Sequence, residues 1–308
     1  MSIQEILSAF EPHRPVYQRA AVEAAIAKRD EIIPHLMRIL QDVADDPKKY
    51  YDDDEGQYFA YIYAAMLLGH LKAEEAHQTL IDAFSIPSPY HYIYDDMVTE
   101  DLPQILYRTY DGNIEPLKSM ISRRDLDEFV RGAGIHTLVY LLIKDIVDRD
   151  EVIPFLIEFL HPDADETDGG FLEMVIEELV LLNVTEALPY IEQTFQSNLI
   201  EHFRFENIEE VQAGFNRGPE ANLKEIEEDF NRRPLDDIHD SMDWWYSFQP
   251  DDDDGFDEVA FWQARQARKL ALQEQAFKRR NISARRQKKA KKKKRKAAKA
   301  ARKKNKRK

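Results

Sequence analysis

The chain has 308 residues, 43% of them hydrophobic, and a formal net charge of −15. That apolar fraction is enough for a buried core, which excludes a wholly disordered chain. There is no cysteine, so disulfides, thiolate metal sites and a Cys nucleophile are excluded.

The N-terminus, MSIQEILSAFEP, has neither a basic nor an apolar leader segment and is read as the start of a soluble, cytoplasmic protein. Two phrases then organise the chain: RDEIIPHLMRIL (residues 29–40) and RDEVIPFLIEFL (residues 149–160), identical at seven of twelve positions. In each, Asp30 or Asp150 is expected to cap a helix, with Pro34 or Pro154 in the first turn. Leu36, Ile39 and Leu40, like Leu156, Phe159 and Leu160, fall on one face at helical spacing. Further copies are AHQTLIDAF (residues 76–84, without Pro), IEPLKSMI (114–121) and LPYIEQTF (188–195). Each copy follows an apolar segment: AVEAAIA, YFAYIYAAMLLGHL, LPQILYRTY, FVRGAGIHTLVYLLI and LEMVIEELVLL. The longest apolar run, Phe59 to Leu68, is too short to span a bilayer. Helix pairs at a period of about 35–45 residues predict an all-α, HEAT- or armadillo-like solenoid, in which stacked neighbours bury one continuous core.

From Asn198 the pattern blurs into helices expected to cap the solenoid. Residues 234–262 read as a short helix carrying Ile238, Met242, Trp245 and Phe248, followed by the acidic run Asp251–Asp254. Trp245 is expected to seal the last repeat, so that truncation to Ala costs about 3–5 kcal/mol. The predicted organisation is a repeat domain over residues 1–232, a capping segment over 233–262 and a Lys/Arg-rich tail over 263–308. The repeat body, the stretch HDSMDWWYSF (residues 239–248) and the basic end resemble a family of bacterial proteins of unknown function with a HEAT-like fold. The resemblance covers roughly residues 1–250 and implies a fold but no activity. Members of that family can end in a Cys-rich SEC-C zinc motif. This chain has no cysteine and ends in lysines, so no zinc site carries over.

Signatures of catalysis are weak. Gly132-Ala133-Gly134 lacks the third glycine of a phosphate loop and reads as close helix packing. HPDADETD offers His161, Asp163, Asp165 and Asp168, but at a position where a polar loop is expected. Glycines 56 and 255 stand at the wrong offsets for calcium loops, and no Gly-x-Ser-x-Gly elbow occurs. No catalytic residue, metal, cofactor or small-molecule substrate is assigned, and the chain is read as a non-enzymatic binding protein. The alternative is an enzyme with an unrecognised carboxylate site in the concave face.

Charge and tyrosine patterning carry the binding expectation. Residues 263–308 hold 23 Lys/Arg and one acid, whereas residues 1–262 hold 20 Lys/Arg and 57 Asp/Glu. Arg285, Arg286, Lys288, Lys289, Lys291, Lys292, Lys293, Lys294, Arg295 and Lys296 are expected to bind RNA or DNA phosphates without regard to sequence. The tail is expected to be disordered or helical, and it lacks the apolar anchors a membrane would want. Its alternative role is self-docking on the acidic body, or solubility alone. Ten of the fourteen tyrosines fall between residues 50 and 110. They either form buried ridges or, as Tyr51, Tyr58, Tyr90, Tyr92 and Tyr94, offer an aromatic, acidic surface to a basic protein partner.

Overall fold

The two near-identical phrases become the same object twice. In the computed structural model RDEIIPHLMRIL opens α3 (Arg29–Asp45) and RDEVIPFLIE forms α11 (Arg149–Glu158). Burial follows the same pattern in both copies, except that His35 is exposed where Phe155 is half-buried. The structure describes residues 1–248 apart from 13, 52–57, 162, 165, 198, 203 and 233; nothing of Tyr246 beyond its backbone is described. The acidic run Asp251–Asp254 and the tail therefore lie outside the described residues.

Among the described residues the chain is all-α, with one isolated β-bridge between Pro12 and Tyr58. After α1 (Ile3–Phe10) come five helix pairs: α2 (Arg19–Ala27) with α3, α5 (Ala60–Leu71) with α6 (His77–Phe84), and α8 (Leu102–Thr109) with α9 (Glu115–Ser122). The last two are α10 (Glu128–Ile143) with α11, and α12 (Gly169–Leu181) with α13 (Leu188–Gln196). Short helices α4 (Pro47–Tyr51) and α7 (Met97–Glu100) lie between pairs, while α14 (Ile208–Asn216) and α15 (Pro219–Phe230) pack on α12. First helices stack in a row, α5 on α8, α8 on α10 and α10 on α12, and second helices stack beside them, α3 on α6 and α6 on α9. This is the α-solenoid that the period predicts. No helix among the described residues is long and apolar enough to cross a membrane.

The helix starts differ from the sequence expectation in one respect. Pro116 and Pro189 occupy the first turn of their helices, but Pro34 and Pro154 lie one turn further in, and Asp30 and Asp150 are inside the helix rather than caps. A proline there removes the bond to the carbonyl four residues back. Both prolines are exposed, so water can serve that carbonyl. The acids remain useful in the first turn, where the helix dipole favours negative charge. The Arg that opens each phrase also has a repeated task. Arg29 donates to the Leu71 carbonyl and Arg149 to the Leu182 carbonyl, both at 3.4 Å, at the C-terminal end of the next pair's first helix.

That helix end is a second repeated device, invisible as a motif. Lys72, Asp145 and Asn183 sit in the left-handed region at φ 52–55°, just past α5, α10 and α12. The next amides, of Ala73, Ile146 and Val184, reach back to the carbonyls of Leu68, Leu141 and Leu179 at 2.9–3.1 Å. These are Schellman closures made without the usual glycine. The glycines act elsewhere: a side chain at Gly132 would strike Met174, and one at Gly134 would strike Ile121, so both serve close helix packing.

Helices α5 and α10 are apolar nearly all round, and every residue from Ala60 to Gly69 in α5 is buried. A helix of that kind must be covered on both sides. Second helices cover one side; the chain's return covers part of the other. Phe230 packs edge-on against Tyr107 of α8 and Tyr140 of α10, and Gln104 donates to its carbonyl at 2.6 Å. Leu235 then fits against Gly69 of α5, where a Cβ would meet its Cδ2 at 2.8 Å. Arg108 holds the Pro234 carbonyl and Asp236, each at 2.7 Å. Helix α16 (Ile238–Met242) lies on α5, and Asp243 pairs with Arg19 of α2 at 2.9 Å.

The segment expected to seal the last pair therefore runs back to the first two pairs. Its anchor is Phe248, buried among Tyr17, Phe59 and Tyr63 at ring distances of 5.5–5.7 Å. Trp245 is only half-buried, lying parallel to Phe248 at 6.0 Å. With part of its surface left in water, Trp245→Ala should cost about 2 kcal/mol rather than a full core truncation. Chemical denaturation measures this, and a loss near that of Leu36→Ala would contradict the half-buried placement.

Candidate functional site

The tyrosine-rich stretch YHYIY (residues 90–94) forms a 3-10 helix, whose three residues per turn set His91 and Tyr94 on the same side. Both turn inward. Tyr94 is 1% exposed, stacks on Phe84 at 4.0 Å and meets Tyr61 edge-on at 5.5 Å. His91 places Nε2 3.2 Å from the Asp127 carboxylate. Tyr92 is thereby thrown outward, 63% exposed. Asp95 follows at φ 45° and ψ −137°, a turn conformation that favours glycine. The chain then reverses into α7, bringing Asp96, Met97 and Glu100 back beside Tyr92.

The opposite wall comes from the far end of the body. Phe248 fixes the segment, Tyr17 Oη meets His239 Nδ1 at 2.9 Å, and Trp244, Trp245 and Ser247 face the stretch around Tyr92. Between the walls is a cleft of about 550 Å³ with Phe59 and Ile62 at its base. Asp95, Asp96 and Glu100 are exposed, while Asp101 is buried. Aromatic faces beside carboxylates suit a cation, whose charge the ring quadrupole and the acids attract together.

The five candidate tyrosines separate. Tyr51 (43% exposed) touches half-buried Tyr90 at a ring distance of 5.5 Å, outside the cleft. Tyr58 is half-buried against Tyr50 and Tyr61, and burial pushes its hydroxyl pKa well up. Tyr94 belongs to the core, so it presents no exposed aromatic face. Its hydroxyl has no hydrogen-bond partner among the described residues, although Tyr94 also lines the cleft. The basic candidates Arg285 to Lys296 lie outside the described residues. Sequence reading missed Trp244 and Glu100. The Trp-Trp pair was the available signal, but its partners are about 150 residues away along the chain.

The polar groups in the interior link helices. Arg131, 1% exposed, donates to the Ile121 carbonyl at 2.9 Å, pairs with Glu166 at 2.5 Å and lies 3.4 Å over the Phe171 ring. Burial pushes the Glu166 carboxyl up, but Arg131 and the amides of Thr167 and Asp168 hold it below its usual range. Asp168 caps α12 by accepting from Phe171, which commits it to the fold. His161 and Asp163 are 3.7 Å apart, and Asp165 lies outside the described residues. Among the described residues no group of three or more His, Asp or Glu is arranged to hold a metal.

Three carboxylates of α12 sit close together, and each has a basic or amide partner. Glu173 accepts from the Arg204 amide at 2.6 Å, Glu177 pairs with the Arg204 guanidinium, and Glu178 lies 2.9 Å from His136 Nε2. Desolvation pushes the His136 imidazole down, but Glu178, with Asp229 and Glu177 beyond it, holds it above its ordinary value. A histidine raised on folding stabilises most below its unfolded value, and that stability fades as pH rises through the folded value. The stability difference between the protein and His136→Gln should therefore be largest near about pH 6 and shrink toward about pH 9. Urea denaturation of both across that range measures it; a flat difference would mean that the pair is not charged.

A family profile described as "Protein of unknown function (DUF1186)" matches residues 1–249. An uncharacterized protein of Chlamydia muridarum (strain MoPn / Nigg) is 28% identical over 213 residues, covering 69% of this chain and 84% of that protein. An uncharacterized protein of Chlamydia trachomatis serovar D is likewise 28% identical over 213 residues, covering 69% and 83%. No solved structure matches.

Proposed function

The chain belongs to the DUF1186 family, whose function is unknown, and we propose that it is a non-enzymatic binding protein of the cytoplasm. The acidic helical-repeat body takes a basic protein partner, and the Lys/Arg-rich tail takes RNA or DNA phosphates without sequence preference. The observation that carries this reading is the division of charge. Residues 278–308 hold 20 Lys/Arg and no acid, behind a body with 57 acids against 20 bases in residues 1–262. A basic segment of that density gains by displacing the counterions condensed on a nucleic acid. After Phe277 it has no aromatic to stack on a base, which favours contact with the backbone alone. The paired carboxylates of α12 support a structural rather than a catalytic use of those acids.

Affinity purification of the intact chain and of a chain ending at residue 277, each with and without nuclease, tests the division of labour. Nucleic acid and whatever travels with it should be lost both on nuclease treatment and on deletion. Protein partners held by the body should survive both. Nucleic acid retained by the shortened chain would overturn the assignment to the tail.

A further inference from the structure

The cleft between the Tyr92 turn and the returning C-terminal segment is more specific than an acidic surface. It joins three half-buried or exposed aromatic side chains, Tyr92, Trp244 and Trp245, to three exposed acids, Asp95, Asp96 and Glu100, around about 550 Å³ of space. We propose that this cleft binds a basic peptide segment of a protein partner, with one arginine or lysine head group seated among these aromatic side chains and facing the acids.

Charge complementarity selects that occupant. Acids of the cleft repel a nucleic acid or an acidic peptide, whereas a guanidinium or ammonium meets both the ring faces and the carboxylates. The body around the cleft carries a large excess of acids, a field that draws in a segment with several positive charges more strongly than a single small cation. The base of the cleft, Phe59 and Ile62, offers apolar surface to the methylene stem of the same side chain. At the floor, Tyr94 keeps a buried hydroxyl without a partner among the described residues. Two distant parts of the chain build the walls, and both are held by buried anchors, Tyr94 on one side and Phe248 on the other. The site therefore exists before a ligand arrives, which lowers the ordering cost of binding.

This inference rests on the reading of the body as a surface for a basic partner and is independent of the tail's affinity for nucleic acid. The test uses the full chain and a fluorescent peptide rich in Arg and Lys and free of acids. Asp95→Asn with Asp96→Asn, and separately Trp244→Ala, should each weaken peptide binding about tenfold. Asparagine is chosen because it removes the charge while keeping the size and shape of the aspartate side chain. Glu74→Gln with Glu75→Gln removes two exposed acids elsewhere on the body and should leave affinity within about twofold. Circular dichroism of each variant should match the parent. Equal weakening by the remote pair, or no effect of the cleft variants, would overturn the site. A peptide that binds only after residues 263–308 are removed would identify the chain's own tail as the occupant and overturn a partner in trans. Failure of either kind leaves the nucleic-acid measurement untouched.

Discussion

Replacing Arg131 by Ala is expected to destabilise the body by about 3–5 kcal/mol, the range for breaking one side of a buried ion pair. Four interactions end together: the bond to the Ile121 carbonyl, the pairing with Glu166, the weaker contact with Asp168 and the stacking over Phe171. Most of the loss comes from what stays behind. Glu166 is buried, and without that guanidinium its charge keeps the amides of Thr167 and Asp168 and a longer contact, 4.0 Å, with half-exposed Arg124. Arg131→Ala with Glu166→Gln should therefore recover part of the loss, because a neutral amide is cheaper to bury than a lone carboxylate. The same pair sets an acid limit. A carboxylate held below its ordinary value contributes stability above its unfolded pKa, about 4.3, and loses it as pH falls through the folded value. Urea unfolding of the two variants and the parent supplies all these comparisons. A single-variant loss below about 1 kcal/mol would mean that the pair is solvated.

Salt should have the larger effect on function. With about 6–10 phosphates neutralised by the tail, affinity for RNA or DNA is expected to fall by roughly 10³ to 10⁵ between about 50 and 200 mM salt. The slope should be nearly the same for unrelated sequences, since phosphate contacts carry no base information. Fluorescence anisotropy with several labelled oligonucleotides checks both statements. A shallow slope with strong sequence preference would point to base reading by some other part of the chain.

The repeat was legible because it is written in apolar spacing and in prolines, and those survive comparison of one phrase with another. RDEIIPHLMRIL and RDEVIPFLIEFL predicted two second helices and their inward faces; three further second helices, and the first helices of all five pairs, followed from the same template. The Schellman closures at Lys72, Asp145 and Asn183 could not be read, because each uses a different residue where glycine is the recognised sign. Pro34 and Pro154 misplaced the helix starts, since a proline is as compatible with an exposed second turn, open to water, as with the first. The return of residues 230–248 was out of reach for another reason. Nothing local tells Leu235 to pack on Gly69 or Phe248 on Tyr63; those are long-range choices made by shape. The cleft inherits that difficulty, since one wall was visible as tyrosines and acids and the other arrives only through the fold.

The most direct test of the binding account is a titration of one labelled RNA, at about 50 mM salt, with the intact chain, residues 1–262 and a peptide of residues 263–308. Low salt is chosen because phosphate contacts are strongest there. The isolated tail should bind most tightly, the intact chain less tightly because its acidic body repels the same polyanion, and residues 1–262 not at all. Binding by residues 1–262 as strong as that of the intact chain, or none by the intact chain, would contradict the account.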